Sequence, residues 1–276
     1  MKILSANGAE IPALGFGTWT MKGAQARDLV AQAIDTGYRH IDTAAMYDNE
    51  ADVGQGIATS GVSRNDLFLT TKVWPDQVKD GSFQDSVRAS LDKLAVDQLD
   101  LLLIHWPPKT EGPQAWAALL DEAVENGWTR HVGVSNFTVS QLDAMVEAGT
   151  HKIVCNQVEN HPYLDQSKIR AACARQGMAL IAYCPLYRDG GLFSEPAIVS
   201  AADAHGKSSA QIILRWHVQH EGGGAIPKTA TPSRLPENIN IFDFELSDDE
   251  MAAISALGSA NNRICDFEFS PEWDAP

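Results

Sequence analysis

The feature that most constrains the fold is a regular alternation of short apolar runs with segments of helical periodicity. Apolar runs lie at 14–17, 40–42, 67–71, 99–104, 131–135, 153–157, 179–183 and 225–226. Helical patterns separate them at 24–35, 50–60, 82–94, 114–126, 140–147, 166–176 and 208–220. Because apolar residues follow one another in the longer runs instead of alternating with polar ones, these runs are typical of parallel strands that are buried on both faces.

About eight such alternations fit a closed barrel better than an open sheet. The sequence therefore predicts an α/β fold, a (β/α)8 TIM barrel, and one domain over all 276 residues. Asn7-Gly8 lies between Ile3-Leu4 and Glu10-Ile11 and predicts an N-terminal β-hairpin that covers one end of the domain. The last predicted helix, 248–256, is followed by a C-terminal tail.

The tail from Arg263 onward carries Phe267, Phe269 and Trp273, which need an apolar surface to pack against. We expect the tail to fold back over the barrel mouth and to form part of a binding pocket. The alternative is that the tail packs against an outer helix.

Two further local patterns give testable expectations. Glycines that follow helical patterns are expected to take the left-handed cap conformation; these are Gly37, Gly61, Gly127, Gly149 and Gly177. His217 and His220 share a helix face without a third metal ligand, and we interpret both as surface histidines. No metal site is therefore expected.

Charge and cysteine content narrow the range of partners. The formal net charge of −15 argues against nucleic acid and anionic membranes as partners, and no obligate protein partner is evident. The four cysteines are widely spaced and are interpreted as reduced, inert thiols. No apolar run resembles a signal peptide or a membrane span, so we expect a cytoplasmic protein, with a monomer as the default.

Chemistry-bearing side chains occur at the ends of successive predicted strands. Asp42 ends one strand, Tyr47 follows five residues later, Lys72 ends the next strand, and His105 ends the third. In parallel-stranded barrels these ends lie at one face, where active sites form. A tyrosine that acts as an acid near neutral pH needs its pKa lowered from about 10, and a cation held by a carboxylate can do this.

Later strand ends carry groups that suit a flat, amide-bearing ligand. Asn136 and Gln157 could bind an amide, and Tyr183 could stack on an aromatic ring, as a nicotinamide requires. Lys228 and Arg234 follow the last strand, where two cations could gather a phosphate group.

Eight segments together resemble the aldo-keto reductase family over nearly the whole chain. They are GFGTW, GYRHIDTAAMYDNE, LTTKVW, LDLLLIHWP, VGVSNF, NQVENHPY, AYCPL and IPKTATPSRLPEN, in the family's order. The short segment after His105 is similar to the bacterial 2,5-diketo-D-gluconate reductase branch. The resemblance implies a barrel that binds NADPH without a Rossmann domain.

The resemblance also implies roles for individual residues. The catalytic tetrad would be Asp42, Tyr47, Lys72 and His105. Cofactor contacts would come from Gly17, Thr18, Trp19, Asp42, Ser135, Asn136, Gln157, Tyr183, Pro185, Leu186, Ile226, Lys228, Thr229, Arg234, Glu237 and Asn238. The substrate pocket would be lined by Trp19, Tyr47, Trp74, His105 and Trp106.

We therefore expect an NADPH-dependent carbonyl reductase that acts on small aldehydes, ketones or keto sugars. Hydride would pass from the nicotinamide to the carbonyl carbon while Tyr47 donates a proton, with Lys72 and Asp42 lowering its pKa. One alternative is an aldolase or lyase barrel in which Lys72 forms a Schiff base. Another is a non-catalytic nucleotide-sensing barrel.

Overall fold

Eight parallel strands form the centre of the structure, a computed structural model that describes residues 1–188 and 190–275. They are β3 (Phe16–Gly17), β4 (His40–Asp42), β5 (Phe68–Val73), β6 (Leu99–Ile104), β7 (Thr129–Ser135), β8 (Ile153–Glu159), β9 (Ala179–Tyr183) and β10 (Gly223–Ala225). Each strand pairs with its neighbour in the sequence. A parallel bridge between Leu14 and Ala225 joins the two ends of the sheet, with Gly15 N donating to Ala225 O at 2.9 Å. The predicted barrel is therefore confirmed.

The strands are apolar because both of their faces are covered. Every residue of β5 and β6 is buried, as the continuous apolar runs predicted. The exception in β5 is Lys72, a charged side chain that lies fully inside the barrel. Such a residue persists only when its charge is paired and hydrogen-bonded.

The predicted hairpin is present as β1 (Ile3–Ala6) and β2 (Ala9–Pro12), an antiparallel pair. Asn7 and Gly8 have φ values of 47° and 92°, the left-handed conformation that such a tight turn needs. The Asn7 amide donates to Ile153 O at 2.7 Å and to Gln176 O at 3.0 Å. Since Ile153 begins β8, the hairpin covers the end of the barrel at which the strands start.

Ten helices surround the strands in the described part of the chain. They are α1 (Gly23–Thr36), α2 (Glu50–Thr59), α3 (Ser82–Leu94), α4 (Pro113–Glu125), α5 (Val139–Ala148), α6 (Ser167–Arg175), α7 (Pro196–His205), α8 (Ser209–Gln219), α9 (Arg234–Ile239) and α10 (Asp248–Ser255). The sequence patterns did not predict α7. Within residues 1–188 and 190–275, no helix is both long and apolar enough to cross a membrane.

Helix ends follow the glycine pattern at four of the five expected positions. Gly37, Gly61, Gly127 and Gly177 have positive φ values. Gly149 is an exception, with extended backbone at φ −95° and ψ 160°. The expectation for His217 was also wrong, because its side chain is buried and its Nε2 bonds to Pro185 O at 3.0 Å.

Candidate active site

The structure brings the four predicted tetrad residues together at the C-terminal ends of β4, β5 and β6. Asp42 is the last residue of β4, and Tyr47 ends the short 3-10 turn that follows. Lys72 Nζ lies 2.5 Å from Asp42 Oδ1 and 3.5 Å from the Tyr47 hydroxyl. The His105 ring packs edge-on against Tyr47, with a centroid separation of 5.6 Å. The alternation of strand and helix patterns in the sequence was thus sufficient to predict that these four residues lie together.

The ion pair between Lys72 and Asp42 is almost completely desolvated. The two side chains are 0% and 1% exposed. The ammonium group also donates to Thr43 O at 2.7 Å, and the second carboxylate oxygen accepts from Gln157 Nε2 at 2.7 Å. Burial lowers the pKa of Lys72, while the adjacent Asp42 opposes that shift. These contacts hold the charges in one geometry.

Tyr47 does not have the lowered pKa that the sequence suggested. Part of its ring is exposed, yet burial of the hydroxyl end raises its pKa well above 10, and Asp42 raises it further. Lys72 does not reverse this shift, because the carboxylate at 2.5 Å offsets much of its positive charge. Tyr47 is therefore a neutral phenol at physiological pH.

His105 is buried beside this phenol as a neutral imidazole. Burial lowers its pKa well below 6.5, and the positive charge of Lys72 adds to the shift. Trp74 packs against the ring edge-on at 5.3 Å. Nδ1 of His105 has no hydrogen-bond partner among residues 1–188 and 190–275. A neutral ring between Tyr47 and Trp74 can offer an N–H to a carbonyl oxygen.

The predicted amide-binding residues form a hydrogen-bonded network beside the tetrad. Tyr183 donates its hydroxyl proton to Asn136 Oδ1 at 2.7 Å, and Asn136 Nδ2 donates to His105 O at 3.0 Å. Ser135 Oγ donates to Gln157 O at 2.8 Å. Asn136 is the first residue after β7, and its φ of 66° directs its side chain into this network. The network fixes amide groups next to the partly exposed face of Tyr183.

The loop after β3 completes one side of the site. Both the backbone N–H and the hydroxyl of Thr18 donate to Asp42 O at 3.0 Å. A Cβ on Gly17 would lie 2.8 Å from Ile226 O, so only glycine allows this close approach between β3 and the segment after β10. Trp19 is 41% exposed and packs on Tyr47 at 4.7 Å.

The segment after β10 presents two exposed cations. Lys228 and Arg234 are exposed, and neither forms an ion pair within the described part of the chain. Arg234 begins α9, and Glu237 of the same helix instead accepts a hydrogen bond from Ser208 Oγ at 2.6 Å. The remaining predicted cofactor residues are buried or half-buried: Pro185, Leu186, Ile226, Thr229 and Asn238.

The tail lies over the barrel mouth, as one of the two alternatives predicted. Phe269 packs edge-on against Trp74 at 5.4 Å and against Trp106 at 5.3 Å. Phe267 and Trp273 contact the same Trp106 ring at 5.9 and 6.0 Å. These rings surround the exposed side of the tetrad with apolar surface.

Sequence reasoning missed the residue that anchors this tail. Glu159, at the end of β8, is fully buried and accepts hydrogen bonds from Ile264 N at 2.7 Å and Cys265 N at 2.6 Å. His161 Nε2 lies 2.9 Å from the same carboxylate. The signal was present in the sequence, since Glu159 follows a strand that was expected to be buried on both faces, and a carboxylate there needs buried donors.

No group of three or more His, Cys, Asp or Glu side chains in the described ranges could hold a metal ion. The polar groups at the barrel mouth include the Tyr47 phenol, the ion pair of Lys72 and Asp42, and the side-chain amides of Asn136 and Gln157.

Comparison with known proteins gives concordant similarities over nearly the whole chain. The model of the aldo/keto reductase family matches residues 13–259. Glyoxal reductase of Bacillus subtilis (strain 168) is 44% identical over 255 residues, 91% of this chain and 90% of that protein. A crystal structure with the provisional name 2,5-diketo-D-gluconic acid reductase B has a TM-score of 0.97 at 44% identity, covering 100% of this chain and 98% of that chain. A Bombyx mori aldo-keto reductase in complex with NADP has a TM-score of 0.91 at 33% identity, covering 99% and 97%.

Proposed function

Because this chain belongs to the aldo/keto reductase family, we propose that it is an NADPH-dependent carbonyl reductase acting on small aldehydes, ketones or keto sugars. The observation that carries the proposal is the convergence of Asp42, Tyr47, Lys72 and His105 at one end of the barrel. Chance convergence of an acid, a desolvated ion pair and a neutral imidazole is improbable in a site lined by tryptophans.

The residues beside the tetrad fit a nicotinamide cofactor. Gln157 Oε1 receives no hydrogen bond from the described residues, so it is free to accept from a carboxamide, alongside the Asn136 and Ser135 side chains. The half-buried Tyr183 ring offers a stacking surface. When bound, the reduced nicotinamide supplies the hydride for carbonyl reduction.

The far end of the cofactor would meet the cations after β10. On a chain of net charge −15, an additional phosphate needs specific cations to offset general repulsion. Arg234 is better suited than Lys228, because a guanidinium can grip phosphate with two parallel hydrogen bonds and stack on adenine. Within the described residues Arg234 forms no ion pair with Glu237, which instead accepts a hydrogen bond from Ser208, and this supports the assignment.

In the proposed reaction, Tyr47 gives its phenolic proton to the carbonyl oxygen as the alcohol forms. Its raised pKa keeps it protonated, and a developing alkoxide is a stronger base than a phenolate. Lys72 Nζ, 3.5 Å from the hydroxyl, stabilises the phenolate that remains. His105 orients the carbonyl oxygen with an N–H, while Trp74 and Trp106 exclude water.

The geometry disfavours a Schiff-base lyase. Lys72 Nζ directs its three donors toward Asp42, Thr43 O and Tyr47, so no lone pair is available to attack a carbonyl. Borohydride trapping with a carbonyl substrate distinguishes the two functions. We expect no covalent adduct at Lys72, and an adduct there would contradict the proposal.

A substrate screen tests the proposed function directly. Oxidation of NADPH should be followed with glyoxal, methylglyoxal, aromatic aldehydes and 2,5-diketo-D-gluconate, since the named relatives include a glyoxal reductase and a diketogluconate reductase. We expect turnover with at least one class, and Tyr47→Phe serves as the matched control. NADPH binding without oxidation across the whole set would instead favour a nucleotide-sensing protein.

A further inference from the structure

Two cysteines distant in the sequence meet beside the barrel mouth. Cys184 follows β9 directly, whereas Cys265 belongs to the tail. Nη2 of Arg188 donates to both sulfurs, each at 3.4 Å. One guanidinium nitrogen thus lies within hydrogen-bonding distance of both sulfurs. Neither is used in the proposed reaction, so this cluster requires its own explanation.

The backbone holds both cysteines in place independently of their thiols. Glu159 at the end of β8 accepts from Ile264 N and Cys265 N, which fixes the tail at this point. β8 and β9 are neighbours in the barrel, so Cys184 emerges beside that anchor. Cys184 has a φ of 48°, a conformation that residues with a Cβ adopt rarely.

We propose that Cys184 and Cys265 are a peroxide-sensitive thiol pair, which oxidises to a disulfide that joins the tail to the barrel. In the first step, the Cys184 thiolate attacks one oxygen of hydrogen peroxide. The S–O bond forms, the O–O bond breaks, and hydroxide leaves to give a sulfenic acid. Cys265 then attacks the Cys184 sulfur, the S–S bond forms, and the hydroxyl leaves as water with the Cys265 proton. Two thiols and one peroxide give one disulfide and two waters.

Cys184 is the nucleophile of the pair. The neighbouring Cys265 thiol and the positive charge of Arg188 lower the pKa of Cys184, although burial opposes this shift. At neutral pH Cys184 is therefore richer in thiolate than an ordinary cysteine. Burial raises the pKa of both Cys155 and Cys173, which therefore match the inert thiols expected from the sequence. Under the proposal, Cys184 departs from that expectation.

The disulfide would change the surface over the proposed active site. Beyond Cys265, Phe267 and Phe269 contact the Trp106 ring, and Phe269 also contacts Trp74. A covalent link at Cys265 restricts how far this segment can move away from the mouth. This consequence rests on the proposed function, whereas formation of the disulfide does not.

Mass spectrometry of the folded, full-length protein tests the proposal without an activity assay. Reduced protein treated with hydrogen peroxide should lose the mass of two hydrogen atoms, and peptide mapping should show a link between Cys184 and Cys265 that dithiothreitol reverses. Cys155→Ser and Cys173→Ser are matched controls that should keep the link. Cys265→Ser should stop at a sulfenic acid on Cys184, which dimedone captures.

Arg188 provides a second, independent test. Arg188→Gln should slow oxidation about 3- to 10-fold, and Arg188→Lys should restore part of the rate, because the charge favours the thiolate. Iodoacetamide should alkylate Cys184 before the other three thiols in the wild-type protein, a measurement that needs no variant. Absence of the Cys184–Cys265 link, a link to Cys155 or Cys173, or equal oxidation rates in Arg188→Gln and wild type would overturn the proposal.

Discussion

Replacing Lys72 with methionine should destabilise the fold by about 3–5 kcal/mol, because it leaves a buried carboxylate without its cation. The Nζ atom lies 2.5 Å from Asp42 Oδ1, and the side chains are 0% and 1% exposed. Methionine keeps most of the side-chain volume, so the loss reports on charge rather than packing. Gln157 Nε2 still donates to the carboxylate at 2.7 Å, which places the effect toward the lower end of the range.

Urea unfolding of three variants tests this reasoning. Asp42→Asn combined with Lys72→Met should recover much of the loss, since neither buried charge then remains. The matched control is Lys22→Met, which removes a surface pair with Asp48 whose side chains are 60% and 82% exposed. That control should cost less than about 1 kcal/mol. A loss for Lys72→Met no larger than for Lys22→Met would refute the desolvated ion pair.

Three further predictions follow from the cofactor end, the tail and a buried histidine. Arg234→Ala should weaken NADPH binding about 10- to 150-fold, as expected for a lost charge-assisted contact of about 1.5–3 kcal/mol. NADH binding should change much less, and equal losses in tryptophan-quenching titrations would contradict the assignment. Deleting residues from Phe267 onward removes the Phe269 ring, which contacts Trp74, and should change the ratio of kcat/KM for glyoxal to kcat/KM for aromatic aldehydes. An unchanged ratio would show that the tail packs on the barrel without contributing to substrate selection. Burial lowers the pKa of His217 to about 3, so this side chain stays neutral in the folded state, whereas the unfolded chain protonates it below about pH 6.5. Its contribution to the unfolding free energy is therefore fully present above pH 6.5, and about 2 kcal/mol is lost as the pH falls from 7 to 5. The unfolding free energy of His217→Gln should depend less on pH over that interval, and an identical pH slope would count against this role.

The barrel and its tetrad could be predicted because the information is local. The β6 strand is an almost continuous apolar run, and Asp42, Lys72 and His105 are tied to strand ends by position alone. Parallel order then places those ends at one face. Family membership, inferred from motifs along the chain, was confirmed by the match over residues 13–259.

Properties that depend on the surroundings could not be predicted in this way. The pKa of Tyr47 is set by burial and by how far Asp42 neutralises Lys72, which only the assembled site reveals. The helix pattern correctly placed His217 on α8 but did not show that this face packs inward. Helix α7, with the sequence PAIVSAADAH, was missed because apolar residues occupy more than half of its positions, which leaves no clear amphipathic period.

The most direct test of the central claim is the rate of NADPH oxidation by Tyr47→Phe under single-turnover conditions. The variant removes only the hydroxyl, which lies 3.5 Å from Lys72 Nζ, and leaves the ring contact with Trp19. We predict a rate about 10²- to 10⁴-fold lower, as expected for the loss of a general acid, with the Kd for NADPH nearly unchanged. A variant that retains a near-normal rate would show that Tyr47 does not donate the proton.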